Sequence, residues 1–515
     1  MKKKRLQKAI ILCLISLSSI ILIKVVVWDS ENHRWVIQDL YYHPPRDAKL
    51  TLSPAIAKIS TTKFNSVPTE INDASKLNAT RVSGIFQPHS LEEIKELIQE
   101  AKRNSKKISI SGARHSMGGQ IAYLNSIHLD MLKFDRIQYN QDQTITVESG
   151  ATWKQIQTEL GKHNRAVRVM QDSNIFSVGG SLALNVHGKD PRFGSLIESI
   201  NYFKIINAEG QEITCSRKEN SELFRAVIGG MGLFGVITEV NLKTDENSTY
   251  QYTVIHTPVR EMIPFMEEQI KRQNLEMIEA QMSIDKSNFL DEAQIYYFDK
   301  VKTNSELQDN VSGENSIWLR KLVYRTSRIT DLGKQFRWFM QKQVGSSLDP
   351  QQLTRNSGMA APFRTLELND SQTTDILQEY FIPVSQVNKF LDDYKTMLHS
   401  NKMQLINVTV RKVKLDREAL VSYATEDMYA FVSYYRITKE RTGYEQMSKF
   451  TQQIMENLNQ INGKLYLAYK GYYTKKQLYR MYPNLNQLFA LKRKYDPQAL
   501  FYNQWYEEFK PTFGG

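Results

Sequence analysis

KISISGARHSMGG, Lys107–Gly119, sets a short alternating run, apolar at Ile108 and Ile110, directly ahead of a loop with one arginine, one histidine and three glycines. Glycine lets a chain turn tightly and bring backbone N–H groups close to an anion without a charged side chain. Two further stretches share this character: SVGGSLALNVHG at 177–188 and IGGMGLFGVITEV at 228–240. None of the three fits G-x-x-x-x-G-K-[ST] or the strand-linked G-x-G-x-x-G fingerprint. Their order and spacing therefore carry more information than any one alone, and together they predict a nest for a pyrophosphate.

The flanking sequence is regular. SLEEIKELIQEAKR at 90–103 places Leu91, Ile94, Leu97, Ile98 and Ala101 on one helical face, with Ser90 and Glu93 spaced as a capping box. SIHLDM at 126–131 reads as extended, TITVESG at 144–150 alternates as a strand, and TWKQIQTELGKHN at 152–164 is a second capped helix ending near Gly161. Small β-α-β units with glycine turns predict an α/β layer.

A chain of 515 residues with 41% hydrophobic content is enough for two domains and an appendage. Its net charge is +12, but six basic side chains and one acidic one within residues 1–30 account for five of these, leaving +7 spread over the rest. No basic cluster is interleaved with aromatics, which excludes a nucleic-acid partner; runs such as LKRKYD are the solvated face of a helix. Cys13 and Cys215 lie too far apart for an intradomain disulfide. No metal site is read from the sequence. The opening MKKKRLQKAIILCLISLSSIILIKVVVWDS has a basic head and then a long apolar run, with Lys24 able to snorkel and no small-residue cleavage site after it. It predicts one uncleaved N-terminal transmembrane anchor over 1–28, head cytoplasmic and body on the non-cytoplasmic side; a cleaved secretory signal is the alternative. Residues 29–79 show no sustained period and read as a linker wrapping onto the body.

From Arg81 onward, GARHS, then SVGGSLALNVHG, then NAEGQEITCSRKENSELFRAVIGGMGLFGVITEVNLK (207–243) stand in the order of a known flavoprotein domain. The chain resembles the FAD-binding superfamily of vanillyl-alcohol oxidase and p-cresol methylhydroxylase (PCMH). GKLYLAYKGYYTKKQLYRMYPNLNQLFALKRKYDPQALF (463–501) is similar to the closing segment of its sugar-oxidising branch, the alditol, aldonolactone and decaprenylphosphoryl-ribose oxidases. NVHGKD looks most like the last of these. The resemblance implies an α+β fold: a two-subdomain α/β FAD-binding domain of the PCMH type over 80–245, an antiparallel-sheet substrate cap over 246–460, and a segment 461–515 returning to the FAD domain. The strand-like runs EMIEAQMSID, EAQIYYFDK, MQLINVTVRKVKL and MYAFVSYYRI, alternating with helices such as PVSQVNKFLDDYKTMLHSN, agree with a sheet covered on one face.

The resemblance also implies site residues. Cofactor contacts fall on Ser111, Gly112, Ala113, Arg114, His115, Ser116, Met117 and Gly118. They continue on Ser177, Gly179, Gly180, Ser181, Asn185, His187 and Gly188, and on Gly235, Val236 and Ile237. His115 stands where several relatives bond the flavin 8α-methyl carbon covalently; the alternative is a neutral histidine that orients the loop. In LQEYFIP (377–383) Glu379 and Tyr380 are candidates to face substrate, Tyr380 equally a packing residue. Lys470 in YLAYKGY matches a lysine that points at the substrate, though one extra residue nearby makes Tyr469 the alternative. Lys189, beside His187, is placed to meet a polar or anionic sugar headgroup. Catalysis is thus assigned to Lys470, Glu379, His187 and Lys189. The implied chemistry is transfer of hydride from a secondary alcohol or lactol of a sugar, polyol or lipid-linked sugar to FAD, with oxygen, a quinone or a carrier protein as electron acceptor. A non-catalytic carrier flavoprotein and a reductase drawing on NAD(P)H remain open. The chain has no HWG tripeptide, which lowers the aldonolactone class.

Overall fold

The computed structural model describes residues 69–302, 307–309, 311, 324–345, 352–360 and 372–511. The predicted anchor, 1–28, and the predicted linker up to residue 68 lie outside them. Among the described residues no helix is long and apolar enough to cross a membrane.

The first layer is a parallel sheet, Gly84–Phe86, Ile127–Asp130 and Ile108–Ser111 in that spatial order. Helix Leu91–Arg103 crosses between its outer strands and buries Ile94, Leu97, Ile98 and Ala101, the predicted face. Ser90 Oγ accepts from Glu93 N at 3.2 Å as predicted, but the Glu93 carboxylate accepts from His89 N at 2.7 Å, one residue outside the reciprocal box. Thr152 and Gln155 do form the full box ahead of helix Trp153–Gly161.

The second layer is antiparallel: Glu212–Ser216, Ile200–Ile206, Val236–Glu246, Thr144–Glu148 and Ile137–Tyr139, with Arg165–Val167 also pairing Val236–Glu246. Thr144–Glu148 buries Ile145 and Val147 and leaves its threonines half-buried, the alternation read from TITVE. Cys215 is a free, buried thiol here, and burial pushes it up to about 12.

The third layer is an eight-stranded sheet, every pair antiparallel: Gln352–Thr354, Thr249–Pro258, Glu292–Lys300, Leu275–Met282, Gln404–Val413, Met428–Thr438, Thr373–Pro383 and Lys464–Leu465. Toward one edge Thr373–Pro383 pairs along its full length with Met428–Thr438. Helices Val387–Ser400 and Arg441–Gln460 cover one face, where the hydroxyls of Tyr380, Tyr394 and Tyr435 bond one another. Tyr380 therefore belongs to the helix side of the sheet, and its substrate-facing reading is corrected to packing.

Strand pairing crosses two of the predicted domain edges. Thr69–Ile71, inside the predicted linker, pairs with Thr80–Val82, and Asn78 Nδ2 donates to Met117 O at 3.1 Å. Lys464–Leu465, beyond the predicted end of the cap, is the last strand of its sheet. Near the end of the described residues the chain lies against the first layer: Ile108 N donates to Leu500 O at 2.7 Å and Tyr502 N to Ile108 O at 2.8 Å.

The return is held by a fully buried pair. Lys492 Nζ donates to Leu233 O at 2.6 Å and Phe501 O at 2.8 Å and pairs with Asp496, whose carboxylate also accepts from Leu500 N and Phe501 N. Burial pulls the Lys492 ammonium down to about 8 against the attraction of Asp496. Removing one partner of such a pair strands the other charge and costs about 3–5 kcal/mol. Lys492→Met is expected to lower unfolding stability by that amount, read as an earlier denaturant midpoint.

Candidate functional site

The glycine loops and the uncovered face of the large sheet enclose one cleft, about 1630 Å³ of space free of protein atoms when its open mouth is counted. Its near wall is the loop that follows Ile108–Ser111. Arg114 adopts a left-handed φ of 59°, and its guanidinium is pinned to Asp130 at 2.7 Å. Gly112 is required by close approach: a Cβ there would sit 1.9 Å from Ser177 Oγ. Gly179 is pressed as well, though less hard, a Cβ there meeting the Ser149 Cβ at 2.8 Å. His115 faces the cleft with its ring edge-to-face on Phe176, centroids 4.7 Å apart.

Behind this wall a hydrogen-bond chain orients Ser111. Ser126 Oγ donates to Tyr123 O, so Ser109 Oγ donates to Ser126, His128 Nδ1 to Ser109, and Ser111 Oγ to His128 Nε2 at 2.8 Å. Burial, with Arg114 nearby, pushes His128 down to about 3, which keeps it neutral.

The far wall follows from the period of two in β-strands. Leu377 and Glu379, Val432 and Tyr434, and Asn407, Thr409 and Arg411 line the cleft from three adjacent strands. They stand in rows: Leu377 opposite Tyr434 opposite Asn407, and Glu379 opposite Val432 opposite Thr409. Glu379 Oε1 meets His187 Nε2 at 2.5 Å, and His187 Nδ1 lies 3.2 Å from Gly188 O. Since a carbonyl only accepts, Nδ1 carries a hydrogen; the short contact on the other side then holds one further proton, and the pair is neutral as a unit. Tyr469 OH reaches Glu379 Oε2 at 3.5 Å, and burial with the Glu379 charge raises this phenol well above its ordinary range, so it is a donor.

Beside this pair, Arg411 lies 3.0 Å from Asp172 and 3.2 Å from Glu279, and Lys189 lies 3.2 Å from Asp172 and 2.9 Å from Glu279. Burial opposes ionisation of Asp172, but Arg411 and Lys189 outweigh it and hold the carboxyl down at about 2. Burial likewise disfavours the Lys189 ammonium, and Glu279 and Asp172 more than restore it.

Of the residues read from sequence, Ser111 to Met117, Ser177, Gly179, Gly180, Ser181, His187, Gly235, Ile237 and Glu379 line the cleft. The others do not. Gly118 turns behind the loop, its N–H on Gln120 Oε1. The Asn185 side chain is committed to Ser195, Asp416 and Ile197 N, so it holds a helix end. Gly188 packs on Met170 O, and Val236 is core. Lys470 donates to Asn78 Oδ1 at 2.8 Å, outside the lining, whereas Tyr469, the alternative, is inside. Lys189 is buried and neutralised behind the wall, so it presents no free cation to a headgroup. Sequence reading missed Ser149, Gln171, Asp172, Ser173, Asn407, Thr409, Arg411 and Tyr434. A signal existed for three of them: in NVTVRKV the polar residues Asn407, Thr409 and Arg411 recur at every second place between buried valines.

The cleft fits a polar guest of dinucleotide kind. Ser116 Oγ, Ser149 Oγ, Ser173 Oγ and Gln171 Nε2 line it, are buried, and meet no hydrogen-bond partner among the described residues. Buried polar atoms are rarely left so.

Comparison with known proteins agrees. A family model described as an FAD binding domain matches residues 82–216, and one described as D-arabinono-1,4-lactone oxidase matches residues 290–509. The second match overturns, at the level of family, the lowering of the aldonolactone class drawn from the missing HWG. L-gulonolactone oxidase of Bos taurus is 22% identical over 434 residues, 82% of this chain and 94% of its own. Cytokinin dehydrogenase 4 of Oryza sativa subsp. japonica is 23% identical over 419 residues, 76% of this chain and 77% of its own. D-arabinono-1,4-lactone oxidase of Candida albicans is 28% identical over 176 residues, 31% of each.

Two outcomes are expected. Gly112→Ala forces its loop off Ser177 and lowers the flavin content of the purified protein, and Ser177→Gly in the same chain restores part of it. Because the folded Asp172 carboxyl titrates below its ordinary value of 3.8, its ionised form stabilises the fold above about pH 4 and this contribution is lost as pH falls toward 2. The stability gap between the native chain and Asp172→Asn should therefore be open at pH 6 and close over that window in acid unfolding.

Proposed function

We propose, on the premise that this chain belongs to the superfamily of oxidases with a PCMH-type FAD domain, in its sugar-oxidising branch, that it oxidises a carbinol carbon, a secondary alcohol or lactol, of a sugar, polyol or sugar lactone. The observation that carries the reading is the Glu379–His187 contact, held at the same cleft as the glycine loops. FAD, when bound, supplies the acceptor for hydride at its N5. The chain supplies placement and a base. Glu379 Oε2, free of His187, takes the hydroxyl proton as the carbon gives up hydride, and the proton on the far side of the pair keeps the charge of the doubly protonated product on His187. Tyr434, held as a neutral phenol, donates to the substrate oxygen, Tyr469 donates to the Glu379 carboxylate, and Asn407 and Thr409 orient the other substrate hydroxyls. Lys470 has no part in this scheme.

His115 faces the cleft from the loop that implies a covalent flavin, which supports a bond from its ring to the cofactor. The electron acceptor fits oxygen, with a quinone or carrier protein as the alternatives. The basic head and apolar run over 1–28 support a membrane-anchored enzyme with its body on the non-cytoplasmic side.

Anaerobic mixing of the flavoprotein with alditols, sugars and aldonolactones tests the reading: one of these should bleach the oxidised flavin band, and retention of colour with all of them would sink it. Glu379→Gln should slow that bleaching by about 10²–10⁴-fold at unchanged flavin content. After acid denaturation, flavin fluorescence should stay on the protein band and disappear from it in His115→Ala; freely released flavin in the unaltered chain would refute the covalent bond.

A further inference from the structure

The far wall of the cleft carries a closed alternation of charge. Arg411 and Lys189 each touch both Asp172 and Glu279, at 2.9–3.2 Å. Arg411 and Asp172 line the cleft, while Lys189 and Glu279 stand behind them. Both cations are buried, so the compensation acts in a medium where charge is weakly screened. The adjoining Glu379–His187 pair, holding its one shared proton, is neutral as well. Two cations, two carboxylates and a neutral pair leave the substrate end without surplus charge.

We propose that Asp172 and Glu279 set the charge of the substrate: by cancelling Arg411 and Lys189 they restrict the site to uncharged sugars, polyols and lactones and exclude sugar acids and sugar phosphates. The inference rests on the sugar-oxidising reading above and narrows it. A site built for a carboxylate or phosphate offers it the fork of an arginine or a free ammonium. Here Arg411 Nη2 is taken by Asp172 and Nε by Glu279. An anion entering the cleft would lie against the Asp172 carboxylate and would have to displace it. A neutral hydroxyl instead finds Asp172 and Glu379 as acceptors, and Asn407 and Tyr434 as uncharged partners. Glu279 acts through Arg411 and is a positioning residue; Asp172 faces the ligand itself.

The test uses a pair of ligands with one carbon skeleton and different charge, L-gulono-1,4-lactone and L-gulonate, and the FAD-loaded full chain. Dissociation constants are read from the change each causes in the flavin spectrum. The unaltered enzyme should bind the aldonate at least about 10-fold more weakly than the lactone. Glu279→Gln, which alters nothing that lines the cleft, should shrink that ratio by about 10-fold, and adding Lys189→Met to it should restore the original ratio because the charges balance again. A merely structural role for Glu279 would weaken both ligands together and leave the ratio fixed, which would overturn the proposal. So would an unaltered enzyme that binds aldonate as tightly as lactone. Should Glu279→Gln not fold, Lys189→Met alone is read with the opposite sign: it leaves one negative charge uncancelled and should widen the ratio by about 10-fold, and an unmoved ratio overturns the proposal. Lack of response to both ligands in the unaltered enzyme, together with retained colour against every other sugar and polyol, would remove the sugar reading and this inference with it; lactone binding with an unmoved ratio would remove this inference alone.

Discussion

Four charges in alternation decide how the two halves of this molecule meet. Asp172 and Lys189 come from the chain around the glycine loops, Glu279 and Arg411 from neighbouring strands of the large sheet. An ion taken out of water is tolerated only where its partners stand at bonding distance, and sliding one half by the length of a residue would strand all four. Arg355, fully buried, adds a second tie of the same kind, reaching Asp190 at 2.8 Å and the carbonyls of Val167 and Arg168. The apolar core runs continuously across the halves, and these contacts add directional ties that favour one docking. It is the one that sets the polar face of the sheet over the glycine loops.

That geometry explains which parts were legible in the amino-acid sequence. Local patterns translated well: the capped helices Leu91–Arg103 and Trp153–Gly161, the alternating strand Thr144–Glu148 and the long strands of the cap are each specified by residues a few places apart. The glycine segments announced the near wall of the cleft for the same reason, since a close approach such as that of Gly112 to Ser177 tolerates no side chain. Where the reading depended on register it left alternatives open. Tyr380 and Glu379 are neighbours in sequence and face opposite sides of the sheet, and only the pairing with Met428–Thr438 decides which looks inward. Lys470 and Tyr469 pose the same problem one segment later.

The charges were harder still. Lys189 looks available in a sequence because nothing nearby neutralises it; Asp172 lies 17 positions earlier and Glu279 is 90 residues later. Asn185 next to the glycines looked like a cofactor ligand, yet its side chain is spent on Asp416, 231 residues away. Such partners are a property of docking, and no local period encodes them.

The last tie is also the longest in sequence. Ile108 sits at the edge of the parallel sheet and receives its neighbour from Leu500 and Tyr502, with the buried Lys492 clamping the same turn. The strand that leads into the cofactor loop is therefore finished by a stretch of chain far downstream in the sequence. Unpaired, it presents an open sheet edge, the feature most prone to wrong pairing. A chain that has formed its glycine loops without that distant segment leaves the edge of the first layer open, so the cofactor loop is completed only when the two stretches pair.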